Sequence, residues 1–131
     1  MKKILALSAV AFLATVGAAA ADDPANGEKV FNKCKACHAI GEGATNKVGP
    51  VLNGVIGRKA GTFEGYSYSP ALKKAGEEGL VLTEENIAKW VSNPKAFVPG
   101  NKMSFVGLQK EDEVKDVIAY LASFDATGKK K

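Results

Sequence analysis

Apolar and polar positions alternate along the chain in rhythms that change from one stretch to the next. Ile4 to Val16 is apolar without any period, broken only by Ser8 and Thr15. Near the other end, Val114, Val117, Ile118 and Leu121 recur at helical spacing, as in a helix that buries one face. Lys110-Glu111-Asp112-Glu113 precedes that stripe and puts acids in a first turn, where the helix dipole favours them. Thr83-Glu84-Glu85 opens another helix, with Ile87, Trp90 and Val91 turned inward and Asn93-Pro94 as its stop. Asp23-Pro24 reads as an N-cap followed by proline at the first helical position, which predicts a helix from about Ala25 to Lys35. Ser69-Pro70 looks like the start of a brief fourth one. Between Ala39 and Tyr68 neither the helical nor the alternating period appears, and glycines at 41, 43, 49, 54, 57, 61 and 65 punctuate the run. Such a long structureless stretch sits badly in a compact domain unless it wraps something. The elements add up to an all-α chain of three to five short helices joined by Gly-rich loops.

The first apolar run changes what counts as the protein. Met1-Lys2-Lys3 is a short basic start, and Ala19-Ala20-Ala21 supplies the small-x-small pattern that a signal peptidase reads. With 13 residues the run is well short of the ~20 of a membrane span. Residues 1–21 therefore read as a cleaved secretory signal and residues 22–131 as a single domain, with Ala126 to Lys131 as a frayed tail. An uncleaved anchor is the alternative reading of the same run. The 131 residues leave no room for a catalytic domain beside a binding domain. Without its leader the chain has 16 basic and 14 acidic residues, too small an excess for a general nucleic-acid binder. Export places the protein in the periplasm, an oxidising compartment where two cysteines would ordinarily pair.

Those cysteines stand in an unusual setting. Once Met1 is removed, the chain has two Cys, one His and one Met, and three of these four lie in Cys34-Lys35-Ala36-Cys37-His38. C-x-x-C-H is the attachment sequence of c-type haem. Two thiols at this spacing add across the two vinyl groups of one porphyrin, and the next residue brings its imidazole beneath the iron. A plain Cys34–Cys37 disulfide would leave His38 unexplained. A thioredoxin-like pair needs a strand before the motif and a helix after it, the reverse of the order here. A structural zinc site needs four protein ligands, and the chain lacks a second pair. Haem iron takes four ligands from the porphyrin, so His38 leaves one axial position to fill. Met103 is the soft sulfur ligand available, in the Pro- and Gly-stiffened stretch from Phe97 to Phe105. Lys102, Lys95 or an open sixth position are the alternatives.

With these motifs in order from Asp23 to Phe124, the chain resembles the class I c-type cytochromes, nearest to bacterial cytochromes c2 and mitochondrial cytochrome c. The resemblance implies one covalently bound haem c, wrapped by short helices and by the Gly-rich run. It implies that in Val48-Gly49-Pro50 the Pro50 carbonyl accepts a hydrogen bond from the ligating imidazole. It places Arg58, in Gly57-Arg58-Lys59, and Tyr68, in Gly65-Tyr66-Ser67-Tyr68, near the haem propionates. Asn93-Pro94-Lys95, Val98-Pro99-Gly100 and Lys102-Met103 are similar to the stretch that brings the methionine to the iron. Gly27 would let two terminal helices cross closely near Phe31 and Tyr120. Three positions depart from the family pattern. Leu82 stands where a propionate-bonding tryptophan is common, Trp90 where a tyrosine lies near the methionine sulfur, and Asn101 where a threonine is common.

A methionine–histidine pair raises the potential of haem iron, and two filled axial positions leave no place for oxygen or peroxide. This predicts an exported one-electron carrier and not an enzyme. A haem enzyme or gas sensor with an open or labile sixth position is the competing expectation, with Met103 as the feature that separates them. Charge placement points to docking. Glu28 to Lys59 and Lys89 to Lys110 each carry a net +4, whereas Ala60 to Ala88 and Glu111 to Asp116 each carry −3. The positive segments hold the expected ligands, so the haem face is expected to be basic, with Lys33, Lys35, Lys47, Lys95 and Lys102 around it. Such a face suits the acidic docking surfaces of membrane redox complexes (a bc1-type complex, a reaction centre, a terminal oxidase) or of a periplasmic dehydrogenase. The carrier is expected to act as a monomer, without inserting into the membrane.

Overall fold

A computed structural model describes residues 22–131; the expected leader lies outside the described residues. The chain forms five helices: α1 (Pro24–Phe31), α2 (Pro70–Glu77), α3 (Glu84–Ser92), α4 (Pro94–Phe97) and α5 (Glu111–Ala122). Each of the first three starts on a capping side chain. Asp23 accepts from the Ala25 N–H at 2.9 Å, Ser69 from Leu72 at 3.1 Å and Thr83 from Asn86 at 3.1 Å. Pro24 and Pro70 occupy first-turn positions where no N–H is needed. In α5 the acidic Glu111, Asp112 and Glu113 take the place of a side-chain cap.

The two terminal helices cross. The Gly27 backbone lies against the Asp116 carbonyl, where a β-carbon would collide with it and come within 2.8 Å of the Tyr120 β-carbon. Phe31 and Tyr120 then pack with ring centroids 5.4 Å apart. Val114, Val117, Ile118 and Leu121, the predicted stripe, are all buried in one cluster with Val30, Phe31, Val55, Ile87 and Leu108. Thus α1, α3 and α5 supply one apolar floor, and the loops close over it. One short antiparallel bridge, Lys59 with Val81, ties the loop before α2 to the segment before α3. The side chain of buried Asn53 pins the long loop by accepting from the Gly41 N–H at 2.7 Å and donating to its carbonyl at 2.9 Å.

Three expectations need correction. The first helix ends at Phe31 and not near Lys35, and the chain runs on in turns of mixed spacing. The Phe31 carbonyl accepts from Cys34 N–H at 2.8 Å and Lys35 N–H at 3.2 Å, and the Cys34 carbonyl from Cys37 N–H at 3.1 Å and His38 N–H at 2.8 Å, so three- and four-residue bonds share each acceptor. The second is α4, a single turn not expected in the Asn93–Phe97 stretch. Asn93 closes α3 and also caps α4 by accepting from Ala96 at 3.3 Å. Third, Ala126 to Lys131 is not frayed. Lys131 N–H bonds the Ser123 carbonyl at 2.8 Å, Asp125 N–H bonds the Lys129 carbonyl at 2.9 Å, and Phe124 bridges Lys130. The Asp125 carboxylate gathers the Thr127 N–H and hydroxyl and the Lys129 N–H at 2.7–3.0 Å. Gly128 is buried against Gly41 of the long loop. Lysine-rich composition concealed a turn held by one aspartate.

Candidate metal centre

The turns after α1, the long loop, α3 and the segment after α4 enclose one apolar cavity of about 320 Å³. Cys34, Cys37, His38, Pro50, Arg58, Tyr68, Trp90, Asn101 and Met103 all line it. Residues that lie up to 69 positions apart in sequence are thereby brought to one place. Both thiols are free and half-buried. Burial is the main cause that raises the Cys34 thiol above its ordinary pKa, the neighbouring Cys37 adds to it, and Lys33 opposes it.

His38 is held from behind. Its Nδ1 lies 2.8 Å from the Pro50 carbonyl, so Nδ1 carries the proton and donates it. The ring packs directly on the Gly49 backbone, where any β-carbon would strike it. Burial lowers the pKa of the imidazole, with the Pro50 bond pulling the other way. The neutral tautomer that results keeps a free lone pair on Nε2, the form in which histidine binds a metal.

Met103 is held from the loop side by Asn101. The Asn101 side-chain carbonyl accepts from the Met103 N–H at 2.7 Å, and its amide donates to the carbonyls of Pro94 at 2.8 Å and Val98 at 2.7 Å. One side chain thus ties α4 to the backbone of the methionine. The sulfur has its own partner, the Trp90 indole N–H, which donates to Sδ at 2.9 Å. Trp90 is in turn braced by Phe97, with ring centroids 5.8 Å apart.

Arg58 enters the cavity with its charge incompletely matched. Its terminal nitrogens reach the Asn53 and Val51 carbonyls at 3.3 and 3.5 Å, its guanidinium lies 4.9 Å from the centre of the Phe63 ring, and its buried Nε has no partner. Burial lowers its pKa, although guanidinium stays charged at any ordinary pH. Tyr68 accepts from the Phe63 N–H at 3.1 Å, which leaves its hydroxyl proton available. A half-buried cation with a buried, unpaired N–H, next to a phenol with a proton to give, suits carboxylates carried on an apolar body. A large apolar cavity bearing two thiols, a neutral imidazole, a thioether and this anion-seeking corner fits a haem that bears propionates.

The similarity to known proteins agrees with this chemistry. The family profile described as Cytochrome c matches residues 24–125. The chain belongs to the cytochrome c family. It is 52% identical to cytochrome c2 of Blastochloris viridis over 118 residues, covering 90% of this chain and 91% of that protein. It is 54% identical to cytochrome c-550 of Ancylobacter novellus over 107 residues, covering 82% of this chain and all of the relative. Among solved structures, cytochrome c2 from Rhodospirillum centenum superposes with a TM-score of 0.76 at 46% identity, covering 79% of this chain and 98% of that one. As a cytochrome c, the protein carries one covalently attached haem c, and its all-α architecture is that of the class I c-type cytochromes.

Of the five lysines expected around the haem edge, Lys33 and Lys102 line the cavity and Lys35, Lys47 and Lys95 do not. All five are exposed. Lys102 donates to the Ser67 carbonyl at 3.2 Å and Lys47 to the Lys35 carbonyl at 3.1 Å, while Lys33 pairs with Glu113 of α5 at 3.2 Å. Leu82 lines the cavity as an apolar wall, its backbone bonded to Arg58 and Gly57. Sequence reasoning missed Val48, which lines the cavity yet is 71% exposed, and Tyr66, whose hydroxyl donates to the Val48 carbonyl at 2.6 Å. An exposed valine beside a ligand motif is the signal that could have marked that wall.

Proposed function

We propose that this cytochrome c is an exported periplasmic one-electron carrier, with haem c on the thioethers of Cys34 and Cys37 and with His38 and Met103 as axial ligands. The haem supplies reversible one-electron exchange at iron. The chain's own residues select and hold the ligands. Pro50 fixes the tautomer of His38 and aims its Nε2 lone pair. Asn101 positions the Met103 backbone, while the Trp90 N–H occupies one lone pair of the sulfur and leaves the other for a metal. Arg58 and Tyr68 would hold the propionates. The apolar walls, Leu82 among them, exclude water, which limits reorganisation when charge moves and favours the reduced state. The observation that carries the reading is that Met103 sulfur and His38, each with its own hydrogen-bond partner, line the same cavity as both cysteines.

With His38 and Met103 both holding the iron, little room would be left for a substrate on it, which suits a carrier and not an enzyme. Its exposed lysines dock it, as a monomer, to acidic faces of membrane redox complexes or of a periplasmic dehydrogenase. Among the described residues no helix is long and apolar enough to cross a membrane. The test is the far-red absorption band that methionine ligation gives the oxidised protein. The band is expected in the purified protein and lost in Met103→Ala. A purified protein without it, binding carbon monoxide or cyanide readily, would instead be a haem enzyme or sensor.

A further inference from the structure

At the crossing of α1 and α5 lies a carboxylate that the haem site does not use. Asp116 is 3% exposed. The described ion pairs of α5 run from Lys33 to Glu113 and from Lys115 to Glu111, and Asp116 is in neither. Its partners are neutral: the Asp23 N–H at 2.9 Å and the Asn26 side-chain amide at 2.6 Å. These two donors hold the carboxyl below its ordinary pKa against the opposing effect of burial. The site is therefore a buried anion surrounded by N–H groups and lacking a counter-charge among the described residues.

The Asp23 donor is the informative one, because the residue just before it, Asp22, is where the mature chain is expected to begin. We propose that Asp116 is a receptor for the chain's own α-ammonium group, created at Asp22 when the leader is cut after Ala21. This rests on the reading of residues 1–21 as a cleaved signal. In the cut, water adds across the Ala21–Asp22 amide with a signal peptidase as catalyst. The C–N bond breaks, Ala21 keeps a carboxylate, and the freed amine leaves with the protons that make it –NH₃⁺. A neutral peptide N–H one residue from the Asp23 donor thus becomes a full cation beside the carboxylate, where it can add a charge-assisted bond to the two neutral ones.

The backbone agrees. Asp22 has φ +77°, a left-handed conformation that costs an L residue as long as another residue precedes it. Cutting the bond before Asp22 abolishes that torsion and its cost. The α1 dipole works against the clasp, since an ammonium near a helix N-terminus is repelled. The sign of the effect therefore depends on Asp116, and this makes the idea testable.

The experiment uses the exported, haem-loaded protein. Intact mass reports where the chain begins, and a start other than Asp22 overturns both the leader reading and the clasp. Given the Asp22 start, the ferric protein is melted beside a form that keeps Ala21, whose amine is displaced by one residue. The native end is expected to melt about 2–4 °C higher, and the difference should vanish or reverse when both forms carry Asp116→Asn. Equal melting, or an unchanged difference in the Asp116→Asn pair, overturns the clasp and leaves the leader reading intact. Should Asp116→Asn fail to fold, the rate at which an amine-acylating reagent modifies the α-amine of the two wild-type forms decides. The native end is expected to react several-fold more slowly, and equal rates overturn the proposal.

Discussion

If Met103 ligates the iron as proposed, Trp90 is the residue through which the fold would tune this centre. Its N–H donates to Met103 Sδ at 2.9 Å, and an indole can only donate. A donor on the sulfur withdraws electron density from it, which would make a ligating thioether poorer for ferric than for ferrous iron. Trp90→Phe keeps the ring bulk against Phe97 and removes only that donor. The variant is expected to keep its far-red band while its midpoint potential falls by tens of millivolts. That is the size expected if about 1 kcal/mol of hydrogen-bond energy differs between oxidation states, roughly 40 mV for one electron. Spectroelectrochemical titration measures it, and an unchanged potential means the contact is packing alone. The sequence shows Trp90 as an inward residue of its helix, standing where a tyrosine is common near the methionine sulfur, and Asn101 as a pocket position where threonine is common. That Asn101 makes three hydrogen bonds joining α4 to Met103 could not be read from its type, because its partners exist only once Pro94 and Val98 have been turned toward it.

At the scale of elements, local signals were legible where a side chain caps its own helix and obscure where the partner is distant. Asp23-Pro24, Ser69-Pro70 and Thr83 each announce a helix start that the structure bears out. The apolar stripe of α5 is legible for the same reason, since its period is internal to the helix. The end of α1 and the docking of Ala126–Lys131 were misjudged. Tight turns there are set by bonds across a few residues, and Gly128 finds its place against Gly41, far away in sequence. The α1–α5 crossing was expected from the family resemblance, with Gly27 as the residue that would permit it. The physical reason is a backbone approach that leaves no room for a β-carbon beside the Asp116 carbonyl. Gly27→Ala is expected to push the helices apart and destabilise the ferric protein by about 2–3 kcal/mol. Guanidinium unfolding should show this as a lower midpoint at nearly unchanged slope. A variant as stable as the parent would mean the crossing adjusts freely.

At the scale of the whole molecule, two asymmetries matter, one of charge and one of packing. The segments bearing the proposed ligands carry the excess positive charge, and exposed Lys102 lies at the cavity with exposed Lys35 inside the attachment motif. Reversing both, Lys35→Glu with Lys102→Glu, should slow electron transfer to an acidic membrane complex about tenfold or more at low salt. Stopped-flow rates should also lose most of their salt dependence, and unchanged kinetics would place docking on another face. Packing leads to a stronger statement. A chain that never acquires haem would have to keep about 320 Å³ of apolar cavity unfilled. At roughly 24 cal/mol per Å³, the penalty is about 8 kcal/mol, comparable with the 5–15 kcal/mol that holds a whole domain together. The long loop, with little regular structure of its own, has nothing else to wrap. Collapse of the cavity would therefore have to undo the packing of α3 and α5 against the loops. A haem-free Cys34→Ala, Cys37→Ala chain is accordingly expected to lose much of the helical circular dichroism of the holoprotein and to melt without a sharp transition. Native helicity and a cooperative melt in that chain would mean that the crossing of α1 and α5 suffices to hold the fold, and that the haem is a guest in it and no part of its core.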